Sequence, residues 1–412
     1  MSQKERCNVK MILEGIRVLD LGHWVVGPGA AAMLGDLGAE VIKIEDRIRG
    51  DAARGMMQTQ KATTGTGGRN WFFEHCNRNK KSVTLDLGKD EGKRILYALV
   101  GKSDVVIHNK RESVMEQLQV DYETLSHYNP RLIYAAASGF GSKGPDKDRV
   151  VMDLTGQARS GMMYASGEEG QPPVITAGGP ADRMGAVMTA FAVVASLLYR
   201  ERTGIGQKVE TSILGSMVHL LSMHVDHNML LGQPMIRAQR SSIGNPLWNF
   251  YKCKDDKWII LASLQADRYW SDLCRALGLE HIEKDPRFEN MMVRSQNSAE
   301  CIAIMDAAFA TKTRAEWLDI FRSTGDMVYE AINTIPEMLA DPQVRANDYI
   351  VDFDHPAWGA VTLAGFPIHF SRAPASVRLP GPEFGEHTEE VLIKVLGYTW
   401  DDIVRLKDAK VI

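Results

Sequence analysis

Short apolar runs alternate with helical patterns through the N-terminal half of the 412-residue chain, and this alternation limits the possible folds more than any other feature. The helical patterns span about 10–15 residues, which is typical of βαβ units. The sequence therefore predicts an α/β protein built on a parallel sheet. The apolar runs have the length of strands and cover Ile16–Gly22, Glu40–Glu45, Ser82–Leu87, Asp104–His108 and Leu132–Ala137.

The rest of the chain has a different pattern, in which helices are predicted first and a hairpin follows. Proline-spaced loops then lead from Ile335 to a C-terminal helix that ends near Val395. We expect a second, smaller domain and a tail that packs on the protein. The two helices cover Arg183–Arg200 and Gly215–Leu231, and the hairpin strands cover Trp248–Lys254 and Lys257–Leu264.

Charge and hydropathy disfavour several classes of partner. The chain has 48 Lys and Arg against 52 Asp and Glu, and its formal net charge of -4 gives no overall attraction to nucleic acid or an anionic membrane. The longest uncharged apolar stretch, Gly185–Tyr199, is shorter than the roughly 20 residues that cross a bilayer. We predict a buried core helix there, and neither a nucleic-acid nor a membrane partner.

The cysteines and histidines give no sign of a metal site. Five widely spread cysteines without a Cys-x-x-Cys pair argue against a disulfide framework and structural zinc, and favour a cytoplasmic protein. The polar first ten residues lack the apolar core of a signal peptide. His219, His224, Asp226 and His227 lie in one predicted helix. His224 and His227 share a face of it, but His219 lies well round the helix, so the three imidazoles do not converge on a metal.

The turn after the first predicted strand does not fit a dinucleotide site. It runs from Gly22 to Gly29 without the G-x-G-x-x-G pattern, and Pro28 has no backbone N–H for a pyrophosphate. A nicotinamide cofactor is therefore disfavoured. The turn still precedes a helix N-terminus, where backbone groups can hold a ligand.

Two further segments are candidate site elements. The glycine-rich loop Ser138–Pro145 follows a predicted strand, and open parallel sheets bind ligands at the carboxyl ends of their strands. Asp182 lies at the predicted N-terminus of a long apolar helix. It is either a structural N-cap, which is the commoner use, or a carboxylate that the helix N-terminus keeps ionised as a nucleophile.

A series of segments in the chain also occurs, in the same order, in one known family. They are Val18–Leu21 with His23 and Gly27–Pro28, Leu37–Glu45, Gly50–Asp51 with Arg54–Gly55, Asn79–Ser82, Leu85–Leu87, Asp104–Asn109, Ser138–Gly141 with Gly144–Pro145, Thr203–Glu210, Asp341–Pro342 and Gly385–Thr388. By these segments the chain resembles the class III CoA transferases, the family of formyl-CoA transferase, carnitine CoA transferase and the α-methylacyl-CoA racemases.

The resemblance implies a fold and an assembly. A large Rossmann-like domain is expected from residues 1–215 and 335–412, so that the C-terminal part returns to it, with a small domain inserted at 225–330. Two such subunits would interlock as a homodimer. Acyl-CoA and a carboxylic acid are the implied substrates, with no permanently bound cofactor and no metal.

The resemblance also assigns residues. Asp182 would carry an acyl-aspartyl anhydride and then an aspartyl-CoA thioester. Oxyanion and loop support would come from Gly139, Phe140 and Gly141. The implied CoA contacts are His23, Trp24, Val25, Val26, Leu85, Asp86, Leu87, Gly88, Asn109, Lys110, Arg111 and Asp153.

Several positions depart from relatives in the family, and two alternatives stay open. Asp46 and Gln117 stand where formyl-CoA transferase has arginines near CoA, and its tetraglycine loop is missing, which disfavours oxalate or formate. Met152 replaces the racemase histidine, and no acid occurs in Ala262–Ala266, so the proton shuttle of a racemase lacks its base. The alternatives are a racemase of this superfamily and a non-catalytic CoA-binding protein.

Overall fold

The computed structural model describes residues 10–56, 69–233 and 237–412, together with the backbone of three two-residue strands between 57 and 68. The polar N-terminus and Cys7 lie outside the described residues. The other four cysteines are buried and free.

The strands are numbered in chain order. They are β1 Arg17–Asp20, β2 Glu40–Asp46, β3 Gln58–Thr59, β4 Ala62–Thr63, β5 Gly65–Thr66, β6 Arg69–Asn70, β7 Lys80–Leu85, β8 Val105–His108, β9 Ile133–Ser138, β10 Gln207–Ser212, β11 Trp248–Lys252, β12 Trp258–Ala262, β13 Tyr329–Ile332, β14 Ile350–His355 and β15 Gly359–Ala364.

The α-helices are numbered in the same way, and two short 3-10 turns cover Ala52–Gly55 and Arg240–Ser242. The α-helices are α1 Val26–Asp36, α2 Trp71–Asn77, α3 Asp90–Val100, α4 Glu112–Leu118, α5 Tyr122–Tyr128, α6 Asp153–Ser160, α7 Met162–Ala165, α8 Pro180–Thr203, α9 Ile213–Leu220, α10 Ser222–Leu231, α11 Ala266–Leu277, α12 Glu280–Glu283, α13 Met291–Gln296, α14 Ser298–Phe309, α15 Arg314–Ser323, α16 Ile335–Leu339, α17 Pro342–Ala346, α18 Thr388–Leu396 and α19 Trp400–Asp408.

A six-stranded parallel sheet confirms the predicted fold class. Its order is β10-β9-β8-β1-β2-β7, and every neighbouring pair is parallel. The chain runs outward from β1 through β2 to β7, and then returns to β8 on the other side of β1. Strand order therefore reverses between β1 and β8, and ligands of open α/β sheets bind at such a reversal.

Helices cover both faces of this sheet. Successive residues of each strand point to opposite faces, so the apolar strands present side chains that pack against helices on both sides. In β1, Val18 packs in a core with α1 and α8, whereas Leu19 packs in a second core with α3, α18 and α19. Both residues are fully buried. The C-terminal helices thus belong to the core of the sheet.

The chain divides into two compact units. The first contains the parallel sheet and comprises residues 1–163, 175–233 and 346–412. The second comprises residues 164–174 and 234–345, and its three-stranded antiparallel sheet β11-β12-β13 packs on a core of aliphatic and aromatic side chains. Residues 164–174, which sequence reasoning placed with the large domain, lie in the second unit.

Some local structure differs from the sequence-based expectation. The helix predicted over Gly215–Leu231 is broken at Leu221 into α9 and α10. Its three histidines therefore do not share one helix. Helices α5 and α19 and the hairpin β14–β15 were not predicted, because each is a short element between polar segments.

Helix α8 is buried along one face only. Ala186, Ala190, Val193 and Leu197 lie in the core beneath the sheet. Among the described residues, α8 alone has the length and composition to cross a membrane. Its opposite face exposes an apolar stripe, which we call the α8 stripe: Val187, Phe191, Val194 and Leu198.

The docking of α19 gives a first prediction. Leu406 is fully buried against the sheet, whereas Val404 on the same helix is 56% exposed. Because truncating a buried leucine leaves a cavity, Leu406→Ala should lower the free energy of unfolding by about 2–5 kcal/mol. Val404→Ala should change it by less than about 0.5 kcal/mol. Urea titrations of both variants measure this, and equal effects would contradict the docking of α19.

Candidate active site

A cavity of about 710 Å³ opens where the strand order reverses. It is lined by the turn after β1, the loops after β8 and β9, and side chains of β10. These segments meet because the carboxyl ends of parallel strands share one edge of the sheet. The cavity therefore lies where the topology predicts a ligand site.

The structure brings together about half of the residues implied by the resemblance. Those that line the cavity are His23, Trp24, Val26, Asn109, Lys110, Arg111, Gly139 and Gly141. Those that do not line it are Val25, Phe140, Asp153, Asp182 and the segment Leu85–Gly88. That segment follows β7, the edge strand, and the Leu85 side chain is buried in the core.

The amide of Asn109 makes two hydrogen bonds to the turn after β1. Its Oδ1 accepts a hydrogen bond from the His23 N–H at 2.8 Å, and its Nδ2 donates to the His23 carbonyl at 2.8 Å. The side chain implied to contact CoA therefore also holds the turn in place.

The loop after β9 is closely packed. A Cβ at Gly139 would lie 2.2 Å from Val151 Cγ2, so this position requires glycine. The Gly141 N–H donates to Ser138 Oγ at 3.0 Å, which engages one of the groups expected to support an oxyanion. The Phe140 ring lies 4.3 Å from the guanidinium carbon of Arg159 and does not line the cavity.

Asp182 does not cap its helix, so the N-cap interpretation is wrong. The N-cap of α8 is Gly179, at φ 64°, and Asp182 lies in the first turn. Asp153 provides the capping carboxylate from α6: its Oδ1 accepts from Ala181 N–H at 2.8 Å and Asp182 N–H at 3.0 Å. Asp153, implied as a CoA contact, thus positions the Asp182 backbone.

The Asp153 carboxylate is itself held in place. Its Oδ2 accepts a hydrogen bond from Nε2 of Gln157 at 2.6 Å, and Gln157 is fully buried. Gln157 also bonds the backbone N–H and carbonyl of Thr176, at 3.1 Å each. The segment before α8 is therefore fixed to α6, which orients the first turn of the helix.

The side chain of Asp182 is left free by this arrangement. Its carboxylate accepts no hydrogen bond from any described residue. Burial, and next the charge of Asp153, raise the pKa of Asp182 to about 7. The buried site therefore opposes the ionisation that the helix N-terminus favours.

The residue before Asp182 packs against the wall of the cavity. Ala181 packs in one small apolar cluster with Val26, Ala137 and Ile213. Val26, Ala137 and Ile213 also line the cavity. The first turn of α8 therefore lies directly behind the cavity wall.

Sequence reasoning missed part of the cavity lining. Lys147, Arg149 and Lys208 add cations, but Lys208 is paired with Glu112 at 2.9 Å. Buried His108 has no hydrogen bond of ordinary geometry to a described residue, and burial, then Lys110 and Lys208, lower its pKa to about 3. The sequence signal that could have identified His108 is a polar residue at the last position of an apolar strand.

Across the part of the chain that the structure describes, no group of three or more His, Cys, Asp or Glu residues is placed to hold a metal ion. Most residues of α10, including His224, are exposed, and His227 is half-buried.

The raised pKa of Asp182 gives a second prediction. The folded protein keeps a proton on Asp182 at pH values where the unfolded chain, with a pKa of about 3.9, has lost it. The contribution of Asp182 to the free energy of unfolding should therefore fall as pH rises from about 4 to about 7. Since asparagine does not ionise, the midpoint of Asp182→Asn in calorimetry should match the parent at about pH 4 and exceed it at about pH 8. A constant difference between the two proteins would contradict the raised pKa.

Comparison with known proteins supports the resemblance. Residues 13–388 match the sequence family CoA-transferase family III. An (R)-2-hydroxy-4-methylpentanoate CoA-transferase of Clostridioides difficile is 32% identical over 403 residues, covering 98% of this chain and 100% of that protein. A succinyl-CoA:glutarate CoA-transferase of Mus musculus is 31% identical over 401 residues, covering 97% and 90%.

A solved structure is similar to this chain over nearly its whole length. A CAIB/BAIF family protein from Brucella suis superposes with a TM-score of 0.83 at 27% identity, covering 94% of this chain and 100% of that one. Because the family match and the relatives extend over nearly the whole chain, the protein belongs to CoA-transferase family III and is a CoA transferase.

Proposed function

We propose that the protein transfers CoA from an acyl-CoA donor to a carboxylic acid through covalent intermediates on Asp182. The observation that carries the proposal is the environment of this side chain. Asp182 is half-buried beside the cavity, its backbone is fixed by Asp153, and no described residue occupies its carboxylate. A carboxylate held in this way can act as a nucleophile.

The first half of the proposed reaction releases the donor acid. A carboxylate oxygen of Asp182 attacks the donor thioester carbonyl, the C–S bond breaks, and CoA leaves as a thiolate. The resulting acyl-aspartyl anhydride is attacked by that thiolate at the aspartyl carbonyl. An aspartyl-CoA thioester forms, and the donor acid departs as a carboxylate.

The second half uses the acceptor. The acceptor carboxylate attacks the aspartyl-CoA thioester, expels the CoA thiolate and forms a second anhydride. The thiolate then attacks the acceptor acyl carbonyl, which gives the new acyl-CoA and restores the Asp182 carboxylate. The partial burial of Asp182 limits the access of bulk water to both anhydrides.

Cations at the cavity support CoA binding despite the two arginines missing from the formyl-CoA transferase pattern. Asp46 is engaged in its own turn, where its Oδ1 accepts from Ile48 and Arg49 N–H. Lys110 is half-buried and lines the cavity without a side-chain hydrogen bond or ion pair to any described residue. We assign the CoA phosphates to Lys110 and Arg111, while Asp86–Gly88 remain predicted contacts.

The racemase alternative is disfavoured. Met152 lines the cavity at the position of the racemase histidine, and a thioether cannot act as a base. The named relatives act on different acids, a branched 2-hydroxy acid and a dicarboxylate. An activity screen should therefore combine acyl-CoA donors with acceptor acids of both classes.

The proposal includes an interlocked homodimer. The first unit contains residues from both ends of the chain, and most of the second unit is inserted between them, so the chain path allows subunits to interlock. The α8 stripe leaves Phe191 67% exposed and Leu198 53% exposed. A second copy that covers this stripe removes apolar surface from water.

Covalent catalysis is tested by trapping. Incubation with acyl-CoA should give an Asp182 adduct that hydroxylamine converts to a hydroxamate, detected by peptide mass spectrometry. Asp182→Asn should form no adduct and lose transfer. It should still fold and bind CoA with an affinity close to that of the parent, because the side chain is not needed for folding and does not line the cavity. Full transferase activity in Asp182→Asn would remove the covalent mechanism.

The assignment of the phosphates predicts a loss of affinity in Lys110→Met. Loss of one charged partner should raise the Kd for CoA about 10-fold to 100-fold in calorimetry. The matched control is Lys102→Met, because Lys102 is exposed at the opposite end of β8. Pantetheine, which lacks the phosphates, should bind both variants equally. Equal CoA affinities in the two variants would contradict the assignment.

The interlocked dimer predicts slow subunit exchange. Tagged and untagged protein should mix no faster than the protein unfolds, since a threaded partner leaves only when a unit opens. Sedimentation at nanomolar concentration should show dimer alone. A folded monomer in that experiment would refute the interlocked arrangement and leave the chemistry at Asp182 untouched.

A further inference from the structure

We infer that Lys43 and Asp51 are positioning residues for the turn Gly22–Val25, which they hold in the conformation that lines the cavity. The inference rests on the proposed function, because it requires this turn to contact acyl-CoA. Neither side chain lines the cavity.

The turn adopts a backbone conformation that needs support. Trp24 has φ 63°, in the left-handed region that side chains other than glycine rarely occupy. Such a residue persists when its surroundings determine its conformation, and these residues concentrate at functional sites. Both His23 and Trp24 line the cavity, so a change in this backbone would alter the binding surface.

Asp51 and Lys43 supply that support at two points of the turn. Asp51 Oδ1 accepts a hydrogen bond from the Trp24 N–H at 3.1 Å and from Ala53 N–H at 3.0 Å. Lys43 Nζ donates to the Gly22 carbonyl at 3.0 Å and lies 2.8 Å from Asp51 Oδ2. The two residues therefore connect the backbone on either side of His23.

A second ion pair fixes the ends of the turn. Asp20 Oδ1 accepts from the Gly22 N–H at 2.8 Å, and Asp20 Oδ2 lies 2.7 Å from Lys80 Nζ. Lys80 Nζ also donates to the Pro28 carbonyl at 2.8 Å, inside the first turn of α1. The Lys43–Asp51 pair contacts Gly22 and Trp24, whereas the Asp20–Lys80 pair contacts Gly22 and Pro28. Lys43 Nζ also lies 3.6 Å from Asp20 Oδ2, so the two pairs form one buried network.

Both members of the central pair are fully buried and stay ionised. Although burial opposes ionisation, the charge of Lys43 holds the pKa of Asp51 at about 2. A buried ion pair is often no more stabilising than apolar residues of similar size. The geometry of the turn is therefore a better explanation of this pair than stability.

The test compares CoA binding with stability in the variant Lys43→Met/Asp51→Asn. Removing both charges leaves no unpaired buried ion, and the amide oxygen of the introduced asparagine can still accept from the Trp24 N–H. We expect an unfolding midpoint close to the parent, a Kd for CoA raised at least about tenfold, and a KM for acyl-CoA raised while kcat changes less. Parent-like CoA affinity in a folded double variant would overturn the inference.

A second measurement decides the question if the double variant does not fold. Alanine at position 51 removes the acceptor of the Trp24 N–H, and glycine adopts φ 63° without strain. The increase that Asp51→Ala causes in the unfolding equilibrium constant should therefore be about fivefold smaller in a Trp24→Gly background. Additive effects in this cycle would overturn the inference.

CoA binding and adduct formation by the parent protein distinguish a failure of this inference from a failure of the proposed function. If the parent binds no CoA and forms no Asp182 adduct, the proposed function fails. If the parent does both and the double variant binds CoA equally well, only the positioning role fails.

Discussion

Strand order in the parallel sheet reverses between β1 and β8, and the whole candidate site depends on this reversal. The loops that follow these two strands separate at the carboxyl edge of the sheet and leave a cavity between them. The turn after β1 forms one wall, and Lys110 and Arg111 after β8 form the other. Helix α8 begins behind that cavity, so the same topology places Asp182 next to the ligand site.

Several aspartates near the carboxyl edge of the parallel sheet have different roles, and the residues around each one determine its role. Asp153 accepts the N–H groups at the start of α8, and Asp51 and Asp20 are paired with buried lysines. Asp182 has neither a donor nor a cation among the described residues, and its pKa rises to about 7 whereas that of Asp51 falls to about 2. The carboxylate that we assign to chemistry is the one that the fold leaves without a structural partner.

The sequence predicted the parallel sheet because its strands have a local signal, whereas the local signal at Asp182 favoured a structural cap and its catalytic role was implied only by the family resemblance. Buried parallel strands are continuous apolar runs, and an acid before a long apolar helix is visible in one segment. The cap from Asp153 was not predictable, because it joins residues about thirty positions apart and a glycine occupies the N-cap itself. The role of Asn109 was missed for the same reason, since its partner, His23, lies on another strand connection. Lys43, within the apolar run of β2, did carry a signal, since a buried lysine requires an acidic partner.

The fate of one oxygen atom tests the covalent role of Asp182 most directly. When the acceptor carboxylate attacks the aspartyl-CoA thioester, one of its oxygens becomes the bridge of the anhydride. The final attack of the CoA thiolate on the acceptor carbonyl leaves that oxygen on Asp182. A single turnover with an acceptor labelled with heavy oxygen should therefore place one labelled oxygen in the peptide that contains Asp182, as measured by mass spectrometry. Turnover that forms the new acyl-CoA but leaves this peptide unlabelled would contradict the account.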